Sequence, residues 1–322
     1  MFALLEQEWR ARRAVVLLAD AYPGIWVCAL LRALGVQVIP VPEAVSLTSE
    51  TLCRILSKRR PCAVILPQLD AHGEPPEAFR QLDALHLLLS ECRESGLRAL
   101  IMLSQADAYQ ARPGMRVREE DPLGGESAAG GLKSLLETYA LGFSRGLYGD
   151  PAAVILARHP PLTGGGMDQN HFAARWCAAL SHGEMLQLPT PGLLYPFMHP
   201  LEAAGGALLC GAMLLRHGVQ YAGAWNFAPG IASLATCRSA ASCLRDYAGG
   251  DRPIQENSFP IQPRSCSLDD HRARERLGYR SAFDARQVLS MLYDYHVSVD
   301  KEYTLDTQAE AYLRALEETK GV

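Results

Sequence analysis

The chain has 322 residues, 48% hydrophobic and 20% charged, with a formal net charge of -4. That balance excludes a disordered or fibrous chain and supplies enough apolar material for a large core without disulfide or metal staples. It also argues against a nucleic-acid partner. The 31 basic residues are offset by 35 acidic ones and cluster only briefly, at Arg10-Ala-Arg-Arg13 and Lys58-Arg-Arg60.

In chain order, the apolar run Arg13 to Ala19 predicts a strand, Ile25 to Leu34 a helix closed by Gly35, and Val36 to Pro40 a second strand. Further strands are predicted at Ala63 to Leu66, Ala99 to Leu103 and Ala152 to Ala157, separated by helices over Ala78 to Ser95 and Leu132 to Phe143. Uninterrupted strands alternating with helices predict a Rossmann-like, doubly wound parallel α/β sheet. From about Gly164 the pattern becomes Pro- and Gly-punctuated, with a last helix at Ala285 to Tyr295. The expected division is a Rossmann-like domain over 1–163 and a smaller α/β substrate-type domain over 164–322. Residues 200–230 are expected to return to the sheet. The uncharged run Ala203 to Leu215 is shorter than the roughly 20 residues of a membrane span and predicts a buried helix.

The nine cysteines form no CxxC pair, and the start shows no export signal, so reduced thiols and a cytoplasmic location are expected. The histidines show no HxxxH or HExxH spacing, so no metal site is expected. Glycines 124, 125, 130 and 131 lack the Lys-Ser/Thr of a phosphate loop and are expected to form a flexible loop. Only four basic residues are lysines, Lys58, Lys133, Lys301 and Lys320, which draws attention to each.

Several segments carry a resemblance. They are Ser104-Gln-Ala-Asp-Ala-Tyr109, Arg118-Glu-Glu-Asp-Pro-Leu-Gly-Gly125 with Lys133, Thr163-Gly-Gly-Gly166, Pro196-Phe-Met-His-Pro-Leu-Glu202, Gly223-Ala-Trp-Asn-Phe-Ala-Pro229 and Ser267-Leu-Asp-Asp-His-Arg-Ala273. In order and spacing they resemble the CDP-glucose 4,6-dehydratases of the extended short-chain dehydrogenase/reductase superfamily. The resemblance implies a bound NAD, a nucleotide-sugar substrate and an active-site Tyr-x-x-x-Lys pair. The Tyr, tuned by the Lys, removes a sugar proton as hydride passes to the nicotinamide.

This chain departs from that pattern at most chemical positions. The Tyr position is Ala129, while Lys133 is retained. In the T-S-D-K block an ungapped frame puts Ser104 at the Thr, Gln105 at the Ser, Ala106 at the acid and Asp107 at the Lys. A frame slid by one puts Asp107 at the acid but loses the match at Tyr109. The three fingerprint glycines correspond to Leu18, Ala21 and Gly24, and Asp20 places a negative charge in the turn. The family's H-L-A-A-Q strand end reads Leu66-Pro-Gln-Leu-Asp70. In the substrate pocket the resemblance retains His199, Glu202, Trp225 and Asn226, whereas the Arg facing the diphosphate is Tyr195 and the Asn before the glycine turn is Pro161.

The resulting expectation is a degenerate homologue with no NAD(P) or weakly bound NAD(P), and without standard dehydratase activity. It would serve as a ligand-binding or partner subunit, homodimeric or paired with an active relative through Leu132 to Phe143 and Leu85 to Gly96. The alternative is an active lyase or isomerase with a rebuilt site, for which Lys133, Asp107, Ser104, Tyr109, His159 and His199 are the candidates.

Overall fold

The computed structural model describes residues 1–45, 47–68, 75–111, 114–146, 153–188, 190–256 and 267–318, with residues 75–78 described by backbone only. The chain runs α1 (Phe2–Trp9), β1 (Arg13–Leu17), α2 (Gly24–Ala33), β2 (Gln37–Val41), α3 (Ser49–Arg59), β3 (Ala63–Leu66), α4 (Pro75–Glu94), β4 (Ala99–Gln105), β5 (Arg116–Val117), α5 (Ala128–Ser144) and β6 (Val154–His159). It continues through α6 (Phe172–His182), β7 (Leu186–Leu188), β8 (Leu194–Pro196), α7 (Pro200–His217), β9 (Gly223–Asn226), β10 (Leu234–Thr236), α8 (Cys237–Tyr247), β11 (Ile254–Glu256), β12 (Ser267–Leu268), α9 (His271–Leu277), α10 (Ala285–Val297) and α11 (Lys301–Glu318).

Six strands form one parallel sheet in the order β2-β1-β3-β4-β6-β9. The period-two alternation of a strand sorts its apolar residues by face. Ala14 and Val16 of β1 join one core with Leu5, Trp9, Trp26, Leu30 and Leu208 from α1, α2 and α7. Val15 and Leu17 join the other with Leu52, Leu56, Leu88, Leu136 and Phe143 from α3, α4 and α5. Because both faces are covered, every strand residue can be apolar, which is why these strands read as uninterrupted runs.

The doubly wound α/β class expected from the sequence is present, but its strand order departs from the dinucleotide pattern. A Rossmann sheet has the order 3-2-1-4-5-6, with two strands outside β1. Here β3 pairs with the opposite side of β1, so β2 alone lies outside it. The topological switch point, where ligands of open α/β sheets bind, therefore lies between β1 and β3.

Helix α7 is buried along nearly its whole length and lies on β4 and β6, and β9 extends the sheet beyond β6. The N-cap His199 and Glu202 form a capping box at its start. Helices α6, α8 and α10 pack together beside the short pairs β7–β11 and β8–β10, sharing one continuous core with the sheet. Helix α11, which hydrophobic patterning did not single out, docks on α2, with Arg32 bridging to Asp306 at 2.7 Å.

Two further expectations are corrected. The Gly-rich segment is no flexible loop at its second half: Gly130 and Gly131 sit in the first turn of α5. The Ser127 hydroxyl accepts from the Gly130 amide at 3.0 Å and offsets the weak helix propensity of the pair. Gly130 also lies so close to the Asp107 carbonyl that an added Cβ would sit 2.4 Å from it. The strand expected from Ala152 starts at Val154 instead, and residue 152 itself, like Leu69, Asp70 and Cys266, lies outside the described residues. Among the described residues no helix is long and apolar enough to cross a membrane, and no cluster of three or more His, Cys, Asp or Glu could hold a metal ion.

Candidate functional site

The turn between β1 and α2 is where a dinucleotide fold presents backbone amides to a pyrophosphate. In this chain several of those amides are engaged by the protein itself. Ala21 donates to the Leu18 carbonyl at 3.1 Å, Ile25 to the Ala21 carbonyl at 3.1 Å, and Trp26 and Val27 both to the Pro23 carbonyl at 3.0 and 3.3 Å. Ala19 donates to Val41 at the end of β2, and Pro23 has no amide hydrogen to offer. The first fingerprint position keeps a glycine-like backbone without the glycine, since Leu18 has φ 49°. The last position keeps its residue for a visible reason: a Cβ on Gly24 would lie 2.1 Å from the Leu18 carbonyl oxygen. Asp20 does not face an anion pocket. Its carboxylate accepts from the Glu43 amide at 2.7 Å and ties the turn to the segment after β2.

At the ends of β4 and β6 the candidate catalytic residues come together. The Lys133 ammonium donates to Gln105 Oε1 at 2.7 Å and to Asp107 Oδ2 at 2.9 Å. Lys133 is buried, and Ala129 lies one helical turn before it, so the position of the absent phenol is on the same face of α5. The Ser104 hydroxyl, also buried, turns away from Lys133 and donates to Glu137 Oε1. Glu137 Oε2 in turn accepts from Arg158 Nε at 2.8 Å and lies 2.7 Å from Nη2. Arg158 Nη1 donates to the Tyr109 hydroxyl at 2.6 Å, and Tyr109 donates to Asn226 Oδ1 at 2.8 Å. The Arg158 guanidinium also lies over the Tyr109 ring, 4.6 Å from its centroid.

Glu137 and Arg158 escaped the sequence reading. The available signal was a carboxylate four residues after Lys133 on a helix that is otherwise apolar on that face, and an arginine at the end of the apolar run Val154 to Ala157. A charge at the end of a strand buried on both faces requires a buried partner. Burial works against the Arg158 charge and Glu137 and Tyr109 together more than restore it, while burial pushes the Tyr109 phenol up against the opposing pull of Arg158.

A cavity of about 300 Å³ opens at the carboxyl ends of β1, β3, β4 and β6. Its wall includes Tyr22, Gln68, Ser104, Gln105, His159 and His171. His159 places Nδ1 2.7 Å from the Pro160 carbonyl, and burial lowers its pKa to about 4. The Tyr22 hydroxyl is buried without a hydrogen-bond partner among the described residues.

No family model matches the chain. The CDP-glucose 4,6-dehydratase of Salmonella typhimurium is 20% identical, the match covering 70% of this chain and 66% of that enzyme's length, just under two thirds. Among solved structures, the UDP-N-acetylglucosamine 4-epimerase of Bacillus cereus superposes with a TM-score of 0.73 at 17% identity, over 89% of this chain and 100% of that one. The UDP-glucose 4-epimerase of Brucella ovis in complex with NAD gives 0.72 at 16% identity, over 89% and 98%. The likeness to these solved structures shows a shared fold, a parallel α/β sheet covered by helices on both faces.

The residues expected to contact substrate have internal partners in this chain. His199 is fully buried, its Nδ1 accepts from Leu201 N at 3.2 Å, and its ring meets Trp26 edge-on. Burial lowers its pKa to about 3. Glu202, also fully buried, accepts from the Ser281 hydroxyl at 2.6 Å and the Ala282 amide at 2.9 Å, and Ser281 and Ala282 belong to the segment leading into α10. Burial raises its pKa against the pull of these donors. Asn226 uses its whole side chain inward, since Nδ2 donates to the Val117 carbonyl at 3.1 Å while Oδ1 accepts from Tyr109. The Tyr195 hydroxyl lies 3.0 Å from His171 Nε2 within an aromatic cluster with Phe172 and Phe197.

Proposed function

We propose that this chain is a degenerate nucleotide-sugar epimerase/dehydratase homologue. It has lost dinucleotide-dependent oxidation and acts as a ligand-binding or partner subunit in sugar or polysaccharide biosynthesis. The observation that carries this reading is the closed turn after β1. The Ile25, Trp26 and Val27 amides serve α2 itself, Leu18 and Ala21 take the places of the glycines that permit the tight turn and the approach of backbone to phosphate, and Asp20 adds negative charge. The residues present do not fit NAD in the family pose. Ala129 and the inward pairing of Lys133 support the same reading, because the phenol that would take the sugar proton is missing and its lysine is held by Gln105 and Asp107. The partner role rests on α4 and α5, which lie side by side with Phe79 and Leu135 exposed at 70% and 51%. A cytoplasmic location accords with the reduced cysteines of the described residues.

The test is whether purified full-length protein carries NAD, read by absorbance and by mass spectrometry after denaturation. It is expected to carry none, and to form no 4-keto sugar from CDP-glucose. Stoichiometric NAD would overturn the cofactor step, and turnover abolished by Lys133→Ala would overturn the reading as a whole. A second reading, a lyase or isomerase with a rebuilt site, is favoured by one observation: Ser104, Gln105 and the neutral His159 share the cavity wall beside the Lys133–Asp107 pair.

A further inference from the structure

We infer that the cavity at the switch point is a site for a small, uncharged, hydroxyl-bearing molecule of single-ring size, not for a nucleotide or a phosphorylated sugar. This rests on the reading that the crevice no longer takes a dinucleotide. At about 300 Å³ the cavity is at the small end of ligand pockets, which run from about 300 to 1,000 Å³. It lies outside the carboxyl ends of β1 and β3, where open α/β sheets bind ligands.

Its polar groups are neutral and complementary. A carbonyl oxygen can only accept, so the contact with Pro160 fixes the His159 proton on Nδ1 and leaves Nε2 an acceptor. Tyr22, which also lines the cavity, has a buried hydroxyl without a partner among the described residues, and a buried hydroxyl of this kind calls for a ligand or a water to hydrogen-bond. Together they offer a hydroxyl-bearing ligand one acceptor and one donor. His171 is not available in the same way. Its Nδ1 accepts from the Ala173 amide, so Nε2 is the donor toward Tyr195.

The charges oppose a phosphate. Among the described residues lining the cavity there is no lysine or arginine, and Asp168 contributes a carboxylate at the rim. The nearest ammonium, Lys133, is held by Gln105 and Asp107. Pro23, Leu103, Leu162 and Met167 provide the apolar surface on which the carbon face of a sugar ring can lie.

Saturation-transfer NMR on the full-length protein, with glucose, galactose, mannose, glucosamine, glucose 1-phosphate and CDP-glucose as probes, tests this. At least one uncharged hexose is expected to bind, and glucose 1-phosphate at least tenfold more weakly. Tyr22→Phe and His159→Gln should each weaken the hexose by about three- to tenfold, the range of one hydrogen bond. Thermal unfolding of both variants, expected near that of the parent, separates loss of binding from loss of fold. Absence of all three hexoses, glucosamine binding tighter than every uncharged sugar, or equal binding of glucose 1-phosphate or CDP-glucose would overturn the inference. A chain that carries NAD fails at the underlying reading. One with neither NAD nor hexose binding keeps that reading and loses only this inference.

Discussion

Two regions at the carboxyl edge of the sheet are built in opposite ways. The turn from Leu18 to Gly24 has a glycine-like backbone, down to the positive φ at Leu18, while its Ala19 and Ala21 amides bond to the Val41 and Leu18 carbonyls. The junction of β4, α5 and β6 keeps Lys133 but surrounds it with new partners, and beneath it runs the buried chain Ser104–Glu137–Arg158–Tyr109–Asn226. Packing alone fixes the backbone at the turn, as Gly24 shows against the Leu18 carbonyl. Charged side chains persist in a sealed site only if each finds a counter-charge or hydrogen bond.

The largest effect is expected at the junction. Removing one partner of a buried ion pair leaves the other charge uncompensated, at a cost of about 3–5 kcal/mol. Glu137→Gln should lower stability by that order in urea unfolding at neutral pH. The double substitution Glu137→Leu with Arg158→Met should recover most of it, since an apolar pair leaves no charge behind. A single variant within about 1 kcal/mol of the parent would show that the pair is not what holds the junction.

The turn should respond next. Gly24→Ala forces a methyl against backbone that cannot rotate away, and overpacking of this kind costs about 1–3 kcal/mol. The expected outcome is a lower unfolding midpoint with an unchanged urea slope, because the sheet remains intact.

Acid should act through the buried imidazoles. His159, His171 and His199 have pKa values lowered to about 4, about 4 and about 3. In the unfolded chain they titrate near 6.5, so between that pH and about 4 the unfolded state binds more protons. Their contribution is present above about 6.5 and is lost as pH falls toward 4. Glu202, Glu119 and Asp270 act with the opposite sign, because their raised pKa values favour the folded state at lower pH. Thermal melts should fall steadily from pH 7 to pH 4.5. His199→Asn keeps an N-cap acceptor for Leu201 without a titrating ring and should flatten the profile. A melt independent of pH over that window would contradict the buried neutral imidazoles.

The α/β class was legible because fully buried parallel strands must be apolar on both faces, and Ala203 to Leu215 announced a buried helix for the same reason. The strand order was not legible, since hydrophobic patterning records which residues are buried and not which strand lies beside which. At the site, Lys133, Asp107 and Ser104 were found through motif positions. Arg158 and Glu137 belong to no motif and carry their meaning only as a pair 21 residues apart that the fold brings together. The Gly-rich segment misled because local propensity disfavours a helix there. The Ser127 cap and the contact with Asp107 override it. His199, Glu202 and Asn226 looked like substrate contacts because the family motif does not distinguish a residue facing a ligand from one anchoring the chain beside it.

The smallest effect is expected at Leu18. A non-glycine residue in the left-handed region is strained by about 1–2 kcal/mol. Leu18→Gly relieves that strain but adds freedom to the unfolded chain worth about 0.4–1 kcal/mol. It also removes a half-buried side chain, so the net change in stability should stay within about 1 kcal/mol of zero. The informative readout is calorimetry with NAD. Restoring the glycine alone, or together with Ala129→Tyr, should produce no binding, because the Ile25, Trp26 and Val27 amides would still be engaged by Ala21 and Pro23. If the single glycine did confer NAD binding, the turn would be one residue from function. Its closed amides would then follow from Leu18 and not from the way α2 begins at Pro23.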